Sequence, residues 1–110
     1  MENNNVIREL AGVIASRREH PEEGSYTCYL FEKGLDKILK KCGEECTEMV
    51  IAAKNADDTE LAGEIADLVY HVLVMMQQRG IPVEAVEEIL AQRSKKIGNL
   101  KQFHQVDRNS

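Results

Sequence analysis

Two groups of carboxylates in this sequence have a spacing that suits metal chemistry. Glu44, Glu45 and Glu48 form an E-E-x-x-E pattern, and Glu64 and Asp67 form E-x-x-D. In a helix, residues three and four positions apart lie on one face, so each group would present its carboxylates together. Two helices that face each other with such pairs can build an oxygen-only site for Mg²⁺ or Mn²⁺, whereas zinc prefers His and Cys.

The first group also fits an ordinary solvated helix face. Lys37 and Lys41 lie on the same side of the predicted helix, and pairs such as Lys41 with Glu45 are common on exposed helices. A lysine that precedes its glutamate is the less favourable order, and cations near a helix N-terminus oppose the helix dipole. Both interpretations stay open at this point.

The second group lies in an unusually apolar setting. Residues 65–76 read IADLVYHVLVMM, in which only Asp67 and His71 are strongly polar. A helix that is apolar nearly all round is expected to be buried on most sides, so Asp67 should pair with a metal ion or with Lys or Arg. His71 lies one turn further on, where it is either a hydrogen-bonded core residue or a partner that orients Asp67.

The elements that must position these groups are predicted to be helices only. Apolar periodicity and capping residues indicate helices at about 5–18, 25–33, 35–54, 60–79 and 82–96, the fourth capped by Asp58 or Thr59. Gly34 and Gly80 are expected to end helices, and Pro82 to begin the last. The prediction is one all-α domain over residues 1–97, a bundle of four to five helices, and a polar, flexible tail over 98–110.

Two helices carry apolar stripes that are predicted to face inward. The third has one of eight residues and the fifth one of four. They are Leu35, Ile38, Leu39, Cys42, Cys46, Met49, Val50 and Ala53 in the third, and Val83, Val86, Ile89 and Leu90 in the fifth. Because a small domain has few elements to cover the apolar fourth helix, we expect a second copy of the chain to complete the bundle as a homodimer.

Composition excludes several classes of protein. With 110 residues the chain can form one core, and its net charge of −5 repels nucleic acid and lipid headgroups. Five aromatic residues, none of them Trp, argue against surfaces that stack nucleobases. No leader or membrane span is recognisable, so a cytoplasmic protein is expected. The three cysteines, Cys28, Cys42 and Cys46, are interpreted as reduced core residues.

Four segments resemble a known family. They are SYTCYLFEKG from Ser25, KILKKCGEECTE from Lys37, IAAKN from Ile51 and EIADLVYH from Glu64. These segments are similar to the phosphoribosyl-ATP pyrophosphohydrolases of histidine biosynthesis, which belong to the all-α, MazG-like nucleotide pyrophosphohydrolases. The resemblance covers residues 6–93.

The resemblance implies an activity and a set of site residues. The reaction would convert phosphoribosyl-ATP to phosphoribosyl-AMP and pyrophosphate, in a homodimer or larger assembly. Mg²⁺, or Mn²⁺, would be held by the acidic motifs, and a carboxylate not fully engaged by metal, Glu44 or Glu45, would activate water. The metal ligands implied are Glu44, Glu45, Glu48, Glu64 and Asp67.

Residues for phosphate binding follow from the same hypothesis. Lys33, Lys37 and Lys41 could neutralise phosphates, although ordinary surface lysines would look the same. Ser25 and Thr27 could bond phosphate or ribose, or cap the second helix. A related enzyme for other nucleoside triphosphates and a non-enzymatic dimerisation module are the alternatives.

Overall fold

The computed structural model describes residues 5–97, and within that range the chain forms five α-helices and no strand. The all-α prediction is therefore confirmed. The predicted tail over 98–110 lies outside the described residues. The helices are α1 (Val6–Glu19), α2 (Tyr26–Lys33), α3 (Leu35–Lys54), α4 (Asp58–Arg79) and α5 (Val83–Ile97).

Side-chain caps and glycines set the helix ends. Asn5, Ser25 and Asp57 each accept a hydrogen bond from the backbone N–H three residues further on, which satisfies a free donor of the first turn. Asp57 is thus the cap of α4, which begins two residues earlier than predicted. Gly80 ends α4 with a φ of 75°, a left-handed conformation that glycine adopts without strain.

Helices α3 and α4 form the most extensive pair and run antiparallel. The register shows this direction, because the Cys42 thiol donates to the His71 carbonyl while Glu45 lies near Glu64. The α1 and α2 helices pack on this hairpin. The core consists of Ile14, Leu30, Ile38, Leu73, Val74 and Met76.

The two long helices are less covered than their sequences predict. In α4, the C-terminal half is buried around His71, but Ile65 and Asp67 in its N-terminal half are exposed. In α3, Leu39 and Val50 are exposed, because α4 covers only the other edge of the apolar stripe. Cys46 lies on this open edge, so its assignment as a core residue is wrong, whereas Cys28 and Cys42 are half-buried.

Helix α5 is attached to the bundle mainly at its first turns. Val83 packs on the core, and the Glu87 carboxylate accepts from the Arg8 guanidinium of α1. Further along, Ile89 and Leu90 are 52% and 58% exposed. The prediction that the α5 stripe faces inward is therefore wrong beyond Val83, since no other described element reaches it.

None of the helices between residues 5 and 97 is both long and apolar enough to cross a membrane.

Candidate active site

Three carboxylates from the α3–α4 hairpin meet at one point. One oxygen from each of Glu45, Glu48 and Glu64 lies within 4.8 Å of the others. The antiparallel register produces this meeting, because it sets the third turn of α3 against the second turn of α4. We call these three residues the carboxylate cluster.

Uncompensated negative charge and partial burial at the carboxylate cluster cost free energy of folding. Glu45 is only 7% exposed, and Oε1 of both Glu45 and Glu64 is buried without a hydrogen-bond partner among residues 5–97. Burial raises the pKa of Glu64, and the negative charge of Glu48 raises it further. A divalent cation would remove both penalties, and three carboxylate oxygens suit Mg²⁺ or Mn²⁺.

Glu44 lies outside the carboxylate cluster and pairs with lysines. Its Oε1 is 3.3 Å from Nζ of Lys41, and its Oε2 is 4.0 Å from Nζ of Lys40. The Lys41 ammonium also lies 3.8 Å from Oε2 of Glu45, and its hydrogen bond with Glu44 raises the pKa of Lys41. Lys41 thus makes the pairs that a solvated face would show, while Glu45 and Glu48 also belong to the carboxylate cluster.

Asp67 lies at the edge of the carboxylate cluster. It is exposed, yet near enough for its charge to add to the raised pKa of Glu64. Within the described chain no Lys or Arg nitrogen lies within 4 Å of it. The expectation that Asp67 is buried is wrong for this chain, because the open side of α4 leaves its carboxylate exposed. A metal ion as its partner stays a prediction.

His71 is a buried residue with hydrogen bonds at both ring nitrogens. Its Nδ1 lies 2.8 Å from the Asp67 carbonyl oxygen, and its Nε2 lies 2.9 Å from the Tyr26 hydroxyl. A carbonyl only accepts, so Nδ1 carries a proton and donates to it, while Nε2 and the Tyr26 hydroxyl share the second hydrogen bond. The predicted bond between His71 and Asp67 exists, but it goes to the backbone and not to the carboxylate.

The predicted phosphate-binding residues separate into two sets. Ser25 accepts from the Cys28 N–H as the α2 cap, and Thr27 bonds the Tyr70 hydroxyl, so both side chains have structural partners. Lys33 and Lys37 extend over the Tyr29 ring, with Nζ 5.7 and 6.0 Å from its centroid. Lys41 alone reaches the carboxylate cluster.

Comparison with known proteins decides the family. The model of the family "Phosphoribosyl-ATP pyrophosphohydrolase" matches residues 7–94. The chain belongs to this family. It is therefore a member of a family of hydrolases. The carboxylate cluster of its all-α bundle is formed by residues of the two acidic motifs.

Relatives of the chain carry matching names. A "Phosphoribosyl-ATP pyrophosphatase" of Clostridium botulinum is 54% identical over 101 residues, 92% of each chain. One of Streptococcus thermophilus is 56% identical over 95 residues, 86% of this chain and 91% of the relative. A "Histidine biosynthesis bifunctional protein HisIE" of Oceanobacillus iheyensis is 56% identical over 88 residues, 80% of this chain but 41% of that longer protein.

Sequence reasoning missed one group of residues in this pyrophosphohydrolase-family chain. Tyr26 and Tyr29 lie on the exposed side of α2 and stack with each other, beside the lysines just described. Their spacing of three within an eight-residue helix was the available sign of a shared face. Only the structure brings Tyr70 of α4 against them.

Proposed function

We propose that the chain hydrolyses phosphoribosyl-ATP to phosphoribosyl-AMP and pyrophosphate, the second step of histidine biosynthesis, and depends on Mg²⁺, which Mn²⁺ can replace. Water attacks the phosphoanhydride next to the nucleoside, that bond breaks, and pyrophosphate leaves. The observation that carries the proposal is the carboxylate cluster with its two buried, unpartnered oxygens, in a chain whose relatives bear this enzyme's name.

Glu45, Glu48 and Glu64 would hold the metal, with Asp67 at the edge of the group. When bound, Mg²⁺ would offset the charge on the phosphate oxygens and on the leaving pyrophosphate. Without it, three carboxylates would repel a polyphosphate, so the cluster has no role in substrate binding on its own.

Glu44 is our candidate for the residue that orients the attacking water. It lies beside the carboxylate cluster but is not part of it, so a metal ion in the cluster would not engage its oxygens, which pair with Lys40 and Lys41 and can accept a proton from water. Lys41 touches both Glu44 and Glu45 and holds Glu44 in place. When substrate arrives, the same ammonium can donate to a phosphate oxygen, with Lys33 and Lys37 further along the same side.

We also propose that the active form is a homodimer in the cytoplasm. Several apolar residues of α3, α4 and α5 are exposed, among them Val50, Ile65, Ile89 and Leu90, and a partner that covered them would remove apolar surface from water. A second copy is the occupant that the small size of the chain favours. The net charge of −5 argues against nucleic acid or a membrane as the partner.

A turnover assay tests the reaction. Pyrophosphate release from phosphoribosyl-ATP is measured with Mg²⁺, with Mn²⁺ and with EDTA, and ATP serves as the comparison substrate. We expect rapid release with either metal, none with EDTA, and much slower release from ATP. Equal rates on ATP would point instead to an enzyme of general nucleotide clearance, and full activity in EDTA would contradict the metal assignment.

A further inference from the structure

Three tyrosines form a continuous aromatic surface beside the carboxylate cluster. The Tyr26 ring stacks on Tyr29 with centroids 6.0 Å apart and on Tyr70 with centroids 6.1 Å apart, at interplanar angles of 24° and 26°. Tyr26 and Tyr29 are 45% and 39% exposed. We call these three rings the tyrosine stripe; it brings together most of the aromatic residues of a chain that has five.

The tyrosine stripe borders a large open cavity. Tyr26 and Tyr29 form part of the lining of a space of about 1010 Å³ between α2 and the end of α1. Sites for small molecules are usually several hundred to about 1,000 Å³, so the space is large enough for the base of a nucleotide. Its lining includes neither the carboxylate cluster nor Lys33 or Lys37, so the phosphates would lie outside it. Half-exposed rings on such a wall offer apolar faces that water covers poorly and that a planar ligand would cover well.

Cations stand at the outer end of the tyrosine stripe. The Lys33 and Lys37 ammonium groups lie near the Tyr29 ring, at 5.7 and 6.0 Å from its centroid. Neither makes an ion pair with a carboxylate inside the described range, so their charge is available to a ligand. A planar ring beside two free ammonium groups suits a ligand that is both aromatic and anionic.

The central ring of the tyrosine stripe, Tyr26, is linked by hydrogen bonds to the helix that carries Glu64. The Tyr26 hydroxyl bonds His71, and His71 in turn bonds the backbone of Asp67. Burial raises the pKa of Tyr26, while the nearby Lys41 charge lowers it and the Glu45 charge raises it again. A ligand seated on the rings would therefore extend from the metal-binding carboxylates outward along α2.

We propose that Tyr26 and Tyr29 form the platform on which the purine base of the nucleotide stacks, with its triphosphate directed toward the carboxylate cluster and Lys33 and Lys37 at the far edge of the base. This rests on the proposed function only in taking the ligand to be an adenine nucleotide. The scarcity of aromatic residues argued against base stacking from sequence, but one or two well-placed rings suffice for a single base.

Two ligands that differ in the base test the proposal. The first is α,β-methylene-ATP, which carries adenine and cannot be cleaved at the methylene bridge, and the second is inorganic tripolyphosphate; both are titrated by calorimetry with Mg²⁺. The variants are Tyr29→Leu, which removes the ring, and Tyr29→Phe, which keeps it. The Tyr29 hydroxyl makes no hydrogen bond within residues 5–97, so Tyr29→Phe removes no contact and is the matched control.

We expect Tyr29→Leu to weaken binding of α,β-methylene-ATP roughly 5- to 150-fold, the range of one lost stacking contact, and to leave tripolyphosphate binding unchanged. Tyr29→Phe should behave as the parent. Equal losses for both ligands, or no loss for either, would overturn the proposal. Thermal midpoints of both variants establish that they are folded.

A second measurement uses the unmodified protein. On addition of α,β-methylene-ATP, the ring-proton resonances of Tyr26 and Tyr29 should shift upfield through the ring current of the stacked base, and tripolyphosphate should cause no such shift. Identical spectra with both ligands would overturn the proposal. These outcomes are separate from the proposed reaction, whose own failure would appear as absent pyrophosphate release from phosphoribosyl-ATP.

Discussion

At the scale of single residues, Glu64 carries the strongest conflict between charge and burial. Its pKa is raised by burial and by Glu48, so removal of its charge should relieve repulsion in metal-free protein. We expect Glu64→Gln to raise the thermal midpoint in EDTA, to abolish the stabilisation that Mg²⁺ gives the parent, and to lower turnover by more than about 100-fold. Thermal melts with and without Mg²⁺ and the pyrophosphate assay measure these effects.

Glu60→Gln is the control for this variant. Glu60 lies one turn earlier on α4, is exposed, and is not part of the carboxylate cluster. Glu60→Gln should leave both the Mg²⁺-induced rise in thermal midpoint and the turnover near those of the parent. If Glu64→Gln still gains stability from Mg²⁺ as the parent does, Glu64 is not a ligand.

Asp67→Asn separates a metal role from a structural one. Asp67 is exposed and has no ion-pair partner within the described chain, so no buried cation is left uncompensated by the change. We therefore expect an unchanged or slightly higher thermal midpoint in EDTA, together with a large loss of activity that extra Mg²⁺ partly restores. A variant that melts far below the parent yet turns over substrate normally would contradict this assignment.

The site residues differ in how far sequence could predict them. Spacing predicted that Glu44, Glu45 and Glu48 share one helix face and that Glu64 and Asp67 share another, because helical periodicity fixes which residues lie together. It could not show that Glu44 lies outside the carboxylate cluster, since adjacent residues diverge by about 100° around a helix and only the contact with α4 decides which one turns inward. The stacking of Tyr70 on Tyr26 could not be predicted from sequence either, because it depends on tertiary packing.

At the scale of the helices, two glycines should respond oppositely to the same substitution. Gly80 has a φ of 75°, so Gly80→Ala forces a left-handed conformation on alanine and should cost about 1 kcal/mol of unfolding free energy. Gly12 lies inside α1, and a Cβ there would meet nothing within 4 Å. Gly12→Ala should add roughly 0.5–1 kcal/mol. Urea denaturation measures both changes in the free energy of unfolding. Changes of the same sign would contradict the assignment of Gly80 as the left-handed end of α4.

The attachment of α5 should depend on pH. The hydrogen bond and charge of Arg8 lower the pKa of Glu87, so the ionised carboxylate is favoured in the folded chain. A lowered pKa contributes stability above the unfolded value of about 4.5, and that contribution is lost as pH falls through the folded value. We expect the difference in thermal midpoint between the parent and Glu87→Gln to be small at pH 7, because the pair is exposed, and to decrease as the pH falls below 4.5. A difference that does not change with pH would argue against this pair.

Helix bounds were more predictable than helix faces. Caps such as Ser25 and stops such as Gly80 act within a few residues of the chain, so sequence located most helix ends to within two positions. Which side of α5 is covered depends instead on elements that must reach it. Ile89 and Leu90 have the right spacing for a buried face, but nothing in the described chain reaches them.

At the scale of the whole molecule, the uncovered apolar residues predict a dimer. Light scattering at micromolar concentration should give twice the chain mass of 12.4 kDa. Ile89→Arg, which places a charge on the exposed α5 stripe, should shift the protein toward monomer. Glu88→Arg puts the same side chain on the opposite side of α5 and should not. A parent protein that is monomeric and fully active would show that one chain is sufficient for activity, and would contradict the dimer.

The hairpin of α3 and α4 also determines how quickly the carboxylate cluster can assemble during folding. Glu45 and Glu64 belong to adjacent helices joined by the short turn at 55–57, so little chain must be ordered to bring them together. Contacts of such low sequence separation are typical of fast-folding helical proteins. We therefore expect the repulsion among Glu45, Glu48 and Glu64 to oppose closure of this hairpin, and a cation that binds all three carboxylates to favour it.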